Sequence, residues 1–310
     1  MLYVAGSWLA SRVLSERLLS ARGLGPSPDH YEDLLGALES NATVVANLRH
    51  KGSPRLPVEL SSTFASPGEP ETRPTILFLH GKGGNASEWV LDALRALALG
   101  YNVLIPDLRG HGRSGGTIFT LGFLEKDDLA LTVAAARDGF GLDPDRLGIH
   151  SCSAGSTVAL EFAADRPGVR AMWLESPFAD LFTMARHYLS RATGVPAPLL
   201  DLTTRWAIRH AIGRIRRELG LDGSREGLER VDPVAAVSRV TSPVLLVHGT
   251  EDRLVPPHFT ERLAAALPPH SAVWNVNGAG HCHHADEPEA TAKLAYARKW
   301  EEFFRNYLPA

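Results

Sequence analysis

Cysteine is nearly absent: Cys152 and Cys282 are the only two in 310 residues, and neither stands in a C-x-x-C or other zinc-type spacing. That scarcity argues against a disulfide framework and against a structural zinc site, and the pair is read as free thiols in a reducing compartment. Both cysteines flank residues singled out below, so their α-carbons could come close in the fold. Excess charge is lacking too. The 32 basic and 35 acidic side chains leave a net charge of -3, which gives a nucleic-acid partner no support. No membrane-length apolar run stands at the start: residues 1–14 (MLYVAGSWLASRVL) are too short to cross a bilayer and lack the basic leader of a signal peptide. Leu2, Ala5, Leu9 and Val13 recur at helical spacing, which predicts an amphipathic helix. Packing of that helix on the body of the protein is the plain expectation, with docking on a membrane surface or a second copy as the sharper one. A cytoplasmic location is expected, with peripheral membrane contact through the same helix as the variant.

What is present is a rhythm of short apolar runs and helical stretches. Two strand-like segments, 42–49 and 56–64, lie between Gly- and Pro-rich stretches and suit an antiparallel pair. From residue 74 the runs are 75–79 (TILFL), 102–106 (NVLIP), 146–150 (RLGIH), 171–175 (AMWLE), 244–248 (VLLVH) and 272–276 (AVWNV). Their continuous apolar character predicts strands buried on both faces of a mostly parallel sheet. Helical stretches fall at 87–99, 125–138, 154–165, 257–267 and 289–307, so the fold class is α/β, a doubly wound sheet. The connection between 175 and 244 is far longer than a crossover needs and holds helical segments at 181–190 and 199–219. The chain therefore divides into an N-terminal helical segment (1–40), an α/β core (41–177 and 241–310) and a helical cap insertion (178–240).

The segment 147–156 (LGIHSCSAGS) sets Ser153 between a strand pattern and a helix pattern, among small residues. A sharp turn there would lift the hydroxyl out of the sheet, whereas the bland alternative is an ordinary helix N-cap. The motif S-x-S-x-G resembles the nucleophile elbow of the α/β-hydrolase superfamily, with Ser151 in place of the usual first glycine. The resemblance covers roughly residues 74–307 and implies a Ser, acid, His order downstream. His248, Gly249 and Asp252, followed by Val255 and Pro256, resemble that family's H-G-x-x-D-x-x-V-P loop and put Asp252 in the acid position. Glu175, Glu251 and Asp107 are its rivals. Gly278, Ala279, Gly280 and His281 resemble the loop of the catalytic histidine, which makes His281 the base. His283 and His284 raise a metal site, but no second group of ligands accompanies them, so no metal and no cofactor are expected.

Residues 80–84 (HGKGG) resemble the family's oxyanion loop and lack the spacing of a phosphate-binding loop. Lys82 and Ala154 would then donate backbone N–H groups to the oxyanion. The segment 107–114 (DLRGHGRS) resembles a family turn of structural role. In the cap, 205–217 is basic; its apolar side, Trp206, Ile208, Ile212 and Ile215, is expected to cover the pocket, the arginines being solvated or gripping an acidic substrate group. The resemblance implies a serine hydrolase acting on a small-molecule acyl ester. The alternatives are thioester or peptide hydrolysis by the same triad, and a non-catalytic binding protein of the same fold.

Overall fold

The structure, a computed structural model, describes residues 28–220, 231–282 and 290–310. The expected helix near residues 1–20 and the pair His283 and His284 lie outside the described residues.

Each five-residue apolar run becomes a strand. Helix α1 (Pro28–Glu39) precedes the antiparallel pair β1 (Val44–Lys51) and β2 (Glu59–Ser66), and β3 (Thr75–Leu79), α2 (Val90–Ala98) and β4 (Asn102–Pro106) follow. Then come α3 (Glu125–Phe140), β5 (Leu147–Cys152), α4 (Ala154–Ala163) and β6 (Val169–Glu175). The eight strands are ordered β1-β2-β4-β3-β5-β6-β7-β8, with β7 (Val244–Gly249) and, after the short α8 (Glu261–Ala264), β8 (Ala272–Val276) completing the sheet and α9 (Ala290–Tyr307) closing the chain. All pairings from β4 to β8 are parallel, and β2 joins β4 antiparallel.

Alternation along the strands feeds two cores. Leu77 and Leu79 of β3 face one side with Leu104, Ile149, Val158 and Met172, whereas Ile76 and Phe78 face the other with Trp89, Trp173, Trp300 and Phe304. Burial on both faces explains why the central strands lack a polar alternation. β8 departs from that expectation: Ala272, Val273 and Asn275 are exposed because it is the edge strand. β3 has β4 on one side and β5 on the other, so the winding reverses there. In such sheets the crevice beyond the carboxyl ends of the strands at that point receives ligands.

The long β6–β7 connection carries α5 (Leu181–Thr193), α6 (Asp201–Glu218) and the short α7 (Pro233–Val237). The face of α6 matches the expected one in part: Ile208, Ile212 and Ile215 pack inward, and Trp206 does not. Its buried residues are Thr203, Thr204, Ala207, Ala211 and Ile215, while Trp206 points outward and stacks on His210 at 5.2 Å between ring centroids. Small residues bury here because α6 packs closely on α5, with Ala185, Leu189, Leu200 and Ala207 forming the seam. Ile215 does pack inward, against Ile118. Of the basic side chains, Arg205 lies over the Phe182 ring at 4.7 Å and Arg214 pairs with Glu218 at 2.8 Å, both at the surface.

Candidate active site

β5 ends at Cys152 and α4 begins at Ala154, leaving Ser153 alone to turn the chain. Its backbone takes φ 51° and ψ -120°, a left-handed region that a non-glycine residue holds only where its surroundings enforce it. The Ser153 N–H donates to the Glu175 carbonyl at 2.8 Å, and the side chain makes no capping bond to α4, so it is not an ordinary N-cap. Close packing sustains the turn. A Cβ on Gly155 would stand 2.5 Å from the His80 carbonyl oxygen and 2.6 Å from that of Leu79, so only glycine lets α4 start against β3. Ser151, in the place of the usual first glycine, is buried but satisfied: its hydroxyl donates to Ser156 Oγ at 3.1 Å, which in turn donates to the Glu175 carbonyl at 3.3 Å.

The acid and histidine loops follow β7 and β8. Thr250 N–H donates to the Val276 carbonyl, Glu251 N–H to that of Ala279, and Gly278 N–H to Thr250 Oγ1, all within 3.0 Å, so the two loops are zipped together. A Cβ on Gly249 would collide with the carbonyl oxygens of Ala279 and Gly280, which makes this glycine a condition of the zipper. The result is a 2.7 Å hydrogen bond from His281 Nδ1 to Asp252 Oδ2. Because a carboxylate only accepts, Nδ1 carries the proton and Nε2 presents its lone pair. The Ser153 hydroxyl makes no hydrogen bond to His281, and bonds of this kind commonly tighten only with substrate present.

Asp252 is buried, which by itself would raise its pKa. Hydrogen bonds from His248 and His281, the charge of His281 and the Val255 N–H outweigh that burial and hold the carboxyl well below the usual carboxylate range. Its other oxygen, Oδ1, accepts from the Leu254 and Val255 N–H groups at 2.9 and 2.8 Å. His248 was not among the candidate site residues: its Nε2 reaches the Val255 carbonyl at 2.6 Å and Asp252 Oδ2 at 3.3 Å. The i, i+4 spacing of His248 and Asp252 across a strand end was the available signal. Helix α5 borders the same loop, since His187 Nε2 and Arg191 Nη1 both contact the Arg253 carbonyl, at 3.0 and 2.7 Å. Tyr188 of α5 has its pKa raised, by desolvation first and by the Asp252 charge second.

The rival acids stand elsewhere. Glu251 is exposed, and Asp107 clamps the 107–114 turn by accepting from Tyr31 Oη at 2.7 Å, Ala86 N–H at 2.8 Å and Arg113 N–H at 2.9 Å. Glu175 faces the opposite side of the sheet, where it meets His150 Nε2 at 3.1 Å, Trp173 Nε1 at 3.2 Å and the Tyr296 hydroxyl. That hydroxyl's pKa is raised well above its ordinary value, first by burial and then by the charge of Glu175.

The glycine loop after β3 is tied down through His80, whose Nδ1 contacts the Gly81 carbonyl at 2.7 Å while Nε2 accepts the Leu108 N–H at 3.0 Å. Gly81 approaches so closely that a Cβ there would lie 3.3 Å from Ser153 Cβ. Ala154 is the first residue of α4, so its N–H has no intrahelical acceptor. Lys82 is exposed.

One expectation is overturned. Cys152 and Cys282 are not free thiols but a disulfide, with α-carbons 5.8 Å apart across 130 residues of sequence. Strand β5 and the histidine loop meet at the same sheet end, a proximity that spacing along the chain does not display. Cysteine usage thus no longer points to a reducing compartment. Among the described residues no helix is long and apolar enough to cross a membrane.

Similarity to known proteins follows the same outline. The chain is 32% identical over 200 residues to the uncharacterized protein YqkD of Bacillus subtilis, covering 62% of this chain and 60% of that one. It thus spans about three fifths of the length of the curated relatives it matches. The structure of the Pyrococcus furiosus esterase Pf2001 superposes with a TM-score of 0.65 at 21% identity, over 93% of this chain and 97% of that one. A puromycin-hydrolyzing peptidase of Mycobacterium tuberculosis gives a TM-score of 0.62 at 22% identity, over 85% of this chain and 39% of that one. Residues 76–294 match the profile of the alpha/beta hydrolase family, and the chain belongs to that family.

Proposed function

We propose that this protein is a serine hydrolase that cleaves carboxylic esters of small molecules through an acyl-enzyme, without a cofactor. Ser153 Oγ attacks the substrate carbonyl as His281 Nε2 takes its proton, and Asp252 holds the histidine in the required tautomer and stabilises the imidazolium. The developing oxyanion is met by the backbone N–H groups of Lys82 and Ala154. His281 then returns its proton to the leaving alkoxide, activates a water, and the acid departs as Ser153 is restored.

The observation that carries this reading is the 2.7 Å bond between His281 Nδ1 and Asp252 Oδ2, which leaves Nε2 as the only basic nitrogen of that ring. The strained backbone of Ser153 at the end of β5 supports it, as does the glycine loop packed against the same residue. The esterase and the peptidase with this fold both have names that denote acyl transfer to water, and family membership agrees with that class. Helix α5 borders the acid loop, and the exposed Tyr188 of α5 with Leu202 and Trp206 of α6 offers apolar surface for an acyl or alcohol group.

A panel of ester, thioester and peptide substrates of graded acyl length tests the reading, each run beside Ser153→Ala. Turnover of short or medium acyl esters, lost in the variant, is the expected result. Preference for thioesters or peptides would keep the mechanism and change the substrate class, and turnover surviving in Ser153→Ala would remove the mechanism itself.

A further inference from the structure

Cys152 immediately precedes Ser153, Cys282 immediately follows His281, and the two sulfurs are bonded. The bridge therefore joins the peptide unit that carries the proposed nucleophile to the one that carries the proposed base. Backbone strain concentrates at the same place. Ser153, Ser176 and Cys282 all have left-handed backbones, with φ of 51°, 45° and 57°. Non-glycine residues persist there only when neighbouring structure over-determines them. The restraints are visible: Cys282 N–H donates to Ser176 Oγ at 3.2 Å, Ser176 N–H to the Val247 carbonyl at 2.8 Å, and Ser153 N–H to the Glu175 carbonyl at 2.8 Å. A Cβ on Gly81 would lie 3.4 Å from Cys152 Sγ, so the glycine loop rests on the bridge as well as on Ser153.

His281 needs such a restraint. Its bond to Asp252 fixes the tautomer, but one hydrogen bond at Nδ1 leaves the ring able to swing about that contact and carry Nε2 away from the serine. A covalent link in the adjoining residue removes that freedom at the backbone. Cys152 and Cys282 are also 4% and 7% exposed, so the bridge is a packed part of the site floor and offers no binding group to an incoming acyl chain.

We propose that the Cys152–Cys282 disulfide is a positioning element of the acyl-transfer site, holding His281 in register with Ser153, and that its reduction slows hydrolysis. The proposal rests on the serine-hydrolase reading above. In the reduction, a dithiol supplies two electrons and two protons: the S–S bond breaks, two thiols form, and the dithiol is oxidised to its own disulfide. A displacement of about 1 Å in a catalytic group costs up to about a hundredfold in rate, so kcat is expected to fall about ten- to a hundredfold while KM changes little. Were the bridge purely structural, its reduction would instead lower the unfolding temperature and leave kcat unchanged in protein that is still folded.

The test uses the full-length protein purified without reductant, assayed on its best ester at a temperature well below unfolding of either form. Thiol titration in denaturant is expected to find no thiol before treatment with dithiothreitol and two after it. Reduction should lower kcat at constant KM, reoxidation should restore it, and hydrogen exchange in a peptide spanning residues 277–282 should accelerate in the reduced form. The double variant Cys152→Ala/Cys282→Ala should resemble the reduced protein and ignore dithiothreitol. Equal kcat in the two redox states, or two titratable thiols in protein never exposed to reductant, would overturn the proposal alone. Absence of turnover in both states, with Ser153 unmodified by a fluorophosphonate, would overturn the serine-hydrolase reading and this proposal with it.

Discussion

His281 with Asp252 and His150 with Glu175 are both histidine–carboxylate pairs near the carboxyl ends of parallel strands, yet they occupy opposite environments. In the first, the carboxylate is buried while the His281 side chain keeps 21% of its surface exposed, and among the described residues only Nδ1 of its ring is engaged. In the second, both side chains are sealed, at 0% and 1% exposure, and both ring nitrogens are occupied: Trp300 Nε1 donates to His150 Nδ1 at 3.2 Å, and Nε2 meets Glu175 at 3.1 Å. The Trp300 bond makes Nδ1 the acceptor, so the proton sits on Nε2 and goes to Glu175. No lone pair remains for a substrate. The pair type alone therefore carries little functional meaning. What separates the front of the sheet from the back is an exposed histidine in a loop that the Cys152–Cys282 bridge joins to the Ser153 turn.

Substitutions can break this comparison, and the largest effect belongs to the proposed nucleophile. Ser153→Ala is expected to lower kcat by about a thousandfold or more while leaving the unfolding temperature nearly unchanged, because the small side chain preserves the turn; steady-state kinetics with calorimetry checks both. The two carboxylates then form the sharpest contrast. Asp252→Asn should cost about a hundred- to ten-thousandfold in kcat by presenting the wrong hydrogen-bond donor to His281 Nδ1. Glu175→Gln should change kcat by less than about threefold but lower stability by about 1–3 kcal/mol, read by urea unfolding, because a buried acceptor of three donors is perturbed.

The smallest effect is in pH. Asp252 has a lower pKa folded than unfolded, where it titrates near the usual value of about 3.9. As pH falls, the unfolded chain takes up this proton first. The stability Asp252 contributes is therefore complete above about pH 5 and declines as pH drops through its depressed folded value. The difference in unfolding temperature between the wild type and Asp252→Asn should accordingly narrow between about pH 5 and pH 2, as measured by scanning calorimetry at several pH values.

The same contrast marks what could be read from the chain. Ser153, Asp252 and His281 each sit on a short contiguous motif at the end of an apolar run, where local spacing and strand burial coincide, and the structure unites Asp252 and His281 directly. The parallel strands were legible because burial on both faces makes their runs uniformly apolar. Glu175 was harder, since the face it takes depends on a register in which one residue exchanges front for back. The disulfide needed two segments 130 residues apart to meet. Helix α6 misled at Trp206, whose apolar size pointed inward although it is exposed, whereas the close approach of α5 selected the small Ala207, with Ile208 packed beside it.

The most direct measurement treats folded protein with a fluorophosphonate and locates the modification by mass spectrometry of its peptides. Stoichiometric modification of Ser153, abolished in Ser153→Ala and strongly slowed in Asp252→Asn, is the predicted result. Folded protein that leaves Ser153 unmodified, or that carries the label on another serine, would contradict it.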